Sequence, residues 1–140
     1  MQETLKSTRN VTANGINFLD LIDSQPVDSV DFAKAKQFLK SNYGVQYDEP
    51  KFVLLFDIIK EEKWSSARFQ KTLIWFLKNK KYPSWTVADW FEYGEKLYPY
   101  SWYLEQINNG TSADNLEGYR INGVVLWKLK DGQDLPFEKI

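Results

Sequence analysis

Apolar residues recur three and four positions apart between residues 16 and 108, then alternate with polar ones beyond residue 116. The first spacing lays a stripe along a helix, and the second gives a strand one buried face. Ile16 to Ser24 reads as one or two helical turns ended by Pro26. Ser29 or Asp31 caps a helix running to about Asn42, with Phe32, Ala35 and Phe38-Leu39 at core spacing and Gly44 just past its end. Pro50 suits the first turn of the next helix. Its stripe of Phe52, Val53, Phe56 and Ile59, thickened by Leu54, Leu55 and Ile58, predicts the most buried helix of the chain.

Two further helix starts share one pattern. In "WSSARF", Trp64 precedes Ser65 and Phe69 follows; in "WTVADW", Trp85 precedes Thr86 and Trp90 follows. Each is a hydroxyl N-cap flanked by an aromatic staple, and Thr86 with Asp89 approximates a capping box. The two starts lie 21 residues apart, which predicts a helix, a tight link over Lys80 to Ser84 and a second antiparallel helix. Val87, Trp90-Phe91, Gly94 and Leu97-Tyr98 would form the core face of that second helix. Ser101 caps a short helix to about Asn108.

The period then changes. "EGYRINGVVLWKL" reads as two strands around Asn122-Gly123, with Ile121 facing Val124, Tyr119 facing Leu126 and Glu117 facing Lys128. In that register Trp127 covers the bare backbone of Gly118. "QDLPF" adds a third strand, which Pro136 restricts to an edge. The expected fold is mainly α (α+β): a bundle of about five short helices with a small C-terminal antiparallel β-hairpin or three-stranded meander. Residues 1–15 read as a flexible leader and 16–140 as a single globular domain, helical over 16–108 with a β-hairpin region at 117–137.

Composition narrows the chemistry. Cysteine and histidine are both absent, which excludes disulfides, thiol nucleophiles, imidazole bases and metal sites built on either residue. The acids Asp89, Glu92, Asp131 and Asp134 are scattered, so a carboxylate-held magnesium site is a minor alternative. The expectation is a protein that is not an enzyme and uses no metal or cofactor. No apolar run approaches the ~20 residues of a membrane helix, and Met1 to Asn14 lacks the hydrophobic stretch of a secretion signal. The expected location is cytoplasmic, with no membrane partner.

The net charge of −1 hides an uneven distribution: −2 over residues 1–50, +5 over 51–81 and −4 over 82–140. In the basic middle, Lys71, Trp75, Lys78 and Tyr82 follow one helical face, with Arg68 and Lys81 beside them. Cations supply phosphate affinity, and exposed rings stack bases at ~1–3 kcal/mol each. The strip therefore predicts contact with nucleic acid or with a nucleoprotein of the helicase or CRISPR-effector type. The competing expectation is a small inhibitor of a host machine, such as an anti-CRISPR or another counter-defence factor. It would act by protein–protein contact through Tyr93, Tyr100, Trp102 or Tyr103.

"RFQKTLIWFLKNKKYPSWTVADW" (68–90) resembles the helical domain of phage replicative-helicase loader/inhibitor proteins. The shared feature is an aromatic-Pro step followed by hydroxyl, aliphatic, Ala and acid. Here it runs from Tyr82-Pro83 to Thr86-Val87-Ala88-Asp89, with one extra residue between proline and threonine. The resemblance implies a phage or mobile-element accessory role in DNA replication and a helix–helix corner at this step. It covers about 25 residues and includes no catalytic motif. A winged-helix arrangement would need a basic helix before the hairpin, and "SWYLEQIN" holds one acid and no base.

Overall fold

The computed structural model describes residues 11–22, 25–79 and 85–140. Five helices form within these: α1 (Leu19–Ile22), α2 (Ser29–Tyr43), α3 (Glu49–Glu61), α4 (Ser66–Asn79) and α5 (Tyr100–Asn108). Three of them begin on a side-chain acceptor that satisfies a backbone donor the helix leaves free. Asp28 caps α2, one residue before the predicted Ser29. Its carboxylate accepts from Asp31 N at 2.9 Å, while Asp31 accepts from Asp28 N at 3.1 Å. Asp48 accepts from Lys51 N at 3.2 Å to open α3 with Pro50 in the first turn, and Ser65 Oγ accepts from Arg68 N at 3.1 Å to open α4.

The helices close over an aromatic core. Phe52 stacks on Trp85 at 4.6 Å, Phe76 meets Trp85 at 5.1 Å and Trp90 at 4.9 Å, and Phe69 stacks on Trp90 at 6.1 Å. These tryptophans therefore join different elements of the core as well as marking helix starts. Two predicted stripes are narrower than expected. Phe38 of α2 is 60% exposed, and Val53 and Leu54 of α3 are 49% and 55% exposed. On each helix the buried arc is held by Ala35 and Leu39, or by Phe52, Leu55 and Ile59, and is already filled.

The second half of the expected helical hairpin does not form. The Thr86–Asp89 capping box is present, with Thr86 N donating to Asp89 at 2.7 Å, but it opens only a five-residue 3₁₀ turn, Val87–Phe91. Gly94 takes φ +97, and a Cβ built there would lie 2.6 Å from the Asn17 side chain, whose amide donates to Tyr93 O at 3.0 Å. The chain then extends: Lys96–Leu97 (β2) pairs antiparallel with Ile16–Asn17 (β1), a pairing the sequence pattern did not reveal. Leu97 leaves the expected helical stripe and enters a second core with Leu21, Tyr119, Ile121 and Leu126. Val11 packs against this core and Gly15 N donates to Thr12 O at 2.9 Å, so the described part of the expected leader belongs to the body. Residues 1–10 of that leader lie outside the described residues.

The hairpin forms in the predicted register. Strands β3 (Leu116–Ile121) and β4 (Val124–Leu129) pair Ile121 with Val124, Tyr119 with Leu126, Gly118 with Trp127 and Glu117 with Lys128. Asn122 and Gly123 take φ 52 and 78, the two left-handed positions of a type I′ turn. A Cβ on Gly118 would stand 2.9 Å from the Trp127 ring. The third strand, β5 (Glu138–Lys139), falls just beyond the predicted segment and pairs with β3. The sheet order is therefore β4-β3-β5, with β3 central, and the arrangement is not a meander. The fold is mainly helical with a small C-terminal three-stranded antiparallel sheet. No helix among the described residues is long and apolar enough to cross a membrane.

Candidate functional site

Helix α4, SARFQKTLIWFLKN, contains no acidic residue. Its cations divide according to where the helix turns them. Arg68 points inward and is 9% exposed, so it does not belong to the predicted basic strip. Its guanidinium lies 3.7 Å from the centroid of the Trp64 ring and 3.2 Å from Asp20, which also accepts from Ser65 N at 2.9 Å. Arg68 thus fastens α1 to the start of α4. Lys71 and Lys78 are exposed, as the strip requires. Lys81 and Tyr82 lie outside the described residues.

Trp75 is half-buried. It packs on the edge of the helical core, and its ring stacks on Tyr93 at 5.5 Å with 25° between planes. A hollow of about 410 Å³ beside this pair is lined by Phe18, Glu92, Glu95, Asp134 and Leu135 as well as the two rings. The acids there oppose a phosphate backbone, so this tryptophan does not sit in a purely cationic surround. Of the four strip residues that are described, Lys71, Trp75 and Lys78 share one arc of α4, the two lysines exposed and the tryptophan half-buried, and Arg68 does not.

The predicted protein-contact residues are also partly committed. Tyr100 is 56% exposed and stacks on Tyr103 at 5.5 Å; Tyr103 lies 4.3 Å from Trp127, and Trp102 stacks on Tyr98 at 4.5 Å. These rings attach α5 to β4, where Tyr98 and Trp127 exchange two backbone hydrogen bonds of 2.8 Å.

A second surface was not anticipated. Between α2 and α4 runs an open groove of about 680 Å³, floored by Ala35, Phe38, Phe69, Leu73, Ile74 and Leu77. Phe38 is 60% and Ile74 53% exposed. The signal was present in the apolar pairs Phe38-Leu39 and Leu73-Ile74, because adjacent helical positions diverge by about 100° and a narrow core stripe accommodates one of each pair. Asp31, Lys34, Gln37 and Gln70 edge the groove.

Three of the four acids considered for magnesium are engaged elsewhere, and the fourth, Glu92, lines the hollow beside Trp75. Asp89 caps Val87–Phe91, Asp131 pairs with Lys128 at 2.6 Å, and Asp134 pairs with Lys139 at 2.9 Å. Lys128, 1% exposed, also meets Glu117 at 3.0 Å, and Glu117 receives Lys139 at 2.9 Å. Burial alone would push the Glu117 carboxyl up, but Lys139 and Lys128 outweigh it and hold it below the usual carboxylate range. Burial likewise opposes the Lys128 ammonium, and Asp131 and Glu117 together raise it. This network ties β3, β4 and β5 together. Among the described residues no group of three or more acidic side chains is placed to hold a metal ion.

Fold and surface together define a mainly helical chain with an apolar groove edged by polar and charged side chains and a small sheet at its C-terminal end. Comparison with protein-family models, curated proteins and solved structures finds no match to this chain.

Proposed function

We propose that this protein is a non-enzymatic binding domain that acts by protein–protein contact through the face formed by α2 and α4. The observation that carries this reading is the groove between those helices, where Phe38 and Ile74 stand exposed within its apolar lining. Contiguous apolar surface of this kind is costly to leave in water and is characteristic of protein-docking sites. A nucleic-acid role draws less support. Among the described residues, the inward turn of Arg68 and the acids beside Trp75 leave Lys71 and Lys78 as the exposed cations of the strip, less than a groove tracking a phosphate backbone calls for. Within the protein-binding reading, an accessory factor or inhibitor of a larger assembly, of the helicase-associated or counter-defence kind, is a role suited to a small domain of this make-up.

Site-specific photocrosslinking tests the proposal. A photoreactive side chain at position 38 or 74, exposed to lysate of the source cell, is expected to give discrete protein adducts. The same group at Leu129, exposed on β4, gives none. Adducts to nucleic acid at positions 38 and 74, or equal labelling at all three positions, would overturn it.

A further inference from the structure

We infer that the occupant of the α2–α4 groove is an amphipathic helix of a partner protein, apolar on the face it buries and acidic along its flanks. The inference rests on the protein-binding reading above and adds the chemistry of the partner. Two antiparallel or crossing helices with an apolar furrow between them form a seat for a third helix, which anchors through residues at i, i+3/i+4 and i+7. The floor supplied by Phe38, Leu73, Ile74 and Leu77 is apolar, so the facing stripe must be apolar as well.

Charge decides what flanks that stripe. Lys34 edges the groove on α2, one turn before Phe38. On α4, Lys71 and Lys78 are the i−3 and i+4 neighbours of Ile74, which places both beside its exposed side chain. The seven-position step from one to the other spans about 10 Å of helix axis, two turns of a docked helix. All three lysines are exposed, and none makes an ion pair among the described residues. Asp31, the one acid lining the groove among the described residues, keeps its charge but accepts from neutral donors only. Its Oδ2 accepts from Asp28 N at 3.1 Å and from Ser66 Oγ at 3.1 Å, and its Oδ1 receives the Gln70 amide at 3.4 Å. Three lysines against one carboxylate leave the surround of the groove net positive, most clearly along α4, which favours a helix that brings carboxylates and disfavours one that brings lysines.

Two dye-labelled synthetic peptides of about 18 residues, five helical turns, decide the matter. They share one stripe of leucines, and their flanking positions are all Glu in one and all Lys in the other. Fluorescence anisotropy with the full chain is expected to show binding of the Glu peptide at least about tenfold tighter than the Lys peptide, with the difference shrinking as salt rises. Replacing Lys34→Glu, Lys71→Glu and Lys78→Glu together, at positions where exposure leaves the fold intact, should invert that preference. Ile74→Ser should weaken whichever peptide binds.

Equal affinity for both peptides, or a preference that the triple variant leaves unchanged, would overturn the inference. So would competition by a single-stranded oligonucleotide, or a self-associated chain that Ile74→Ser converts to monomer in sedimentation. If neither peptide binds while crosslinking at position 74 still captures a protein, the acidic-helix chemistry is wrong and the protein-binding reading stands. If both experiments fail, the reading itself falls.

Discussion

Arg68 and Gly94 show how one side chain, or the lack of one, decides local architecture. A guanidinium sealed between Trp64 and Asp20 exchanges water for a ring face and a carboxylate, and removing it strands Asp20 among buried neighbours. Arg68→Ala is therefore expected to cost about 3–5 kcal/mol, read as a lowered urea midpoint. Lys71→Ala, one turn further on and exposed, should stay within about 0.5 kcal/mol of the parent. Sequence spacing put Arg68 beside the lysine strip because its charge suggested solvent. The carboxylate that draws it inward stands 48 residues earlier, and no local pattern reveals it. Gly94 reads in sequence as a weak point in a helix. In the fold it sits at φ +97 against the Asn17 amide. Gly94→Ala should lower stability by more than about 1 kcal/mol, because the added Cβ meets both strain and a clash. Thermal melting of the variant checks this.

Elements with local instructions formed as their residues dictate. The β3–β4 hairpin had Asn122-Gly123 to set the turn and alternation to set the faces, and its register follows residue for residue. Helices α2, α3 and α4 had caps and breakers close to their ends. The segment after Thr86 had the same instructions as α4 and a different outcome, since pairing with β1 and burial of Leu97 outweigh one continued helix. Its capping box is genuine and its helix is one short turn.

The sheet also carries a pH dependence. Glu117 is held below its ordinary value of 4.5, so its contribution to stability is present above that value and is lost as pH falls through the depressed one. Lys128 is raised above 10.5, so its contribution is present below that value and is lost as pH climbs through the raised one. Melting temperature against pH should fall on the acid side. Glu117→Gln should flatten the part of that fall due to this carboxyl and lower the neutral plateau, because Lys128 loses a buried partner.

At the scale of the whole molecule, two cores sit under one surface, an aromatic one among the helices and a smaller one between β1–β2 and the sheet. If the α2–α4 groove is a working surface and not a thin part of the core, its exposed rim is dispensable for folding. Phe38→Ser with Ile74→Ser is then expected to leave the melting temperature within a few degrees of the parent, although both replaced residues are large and apolar. A drop of the size seen for buried truncations would assign them to packing instead. Periodicity, caps and turn residues specified the class of fold, most helix boundaries, the hairpin register and the burial of Trp85 and Trp90, because each depends on neighbours a few positions away. The β1–β2 pairing, the position of β5, the inward turn of Arg68 and the stacking of Trp75 on Tyr93 depend on residues brought together from distant parts of the chain. The exposed groove belongs with these. A helix states which of its residues are apolar, but which of them meet water is settled by how much of its circumference the neighbouring elements cover.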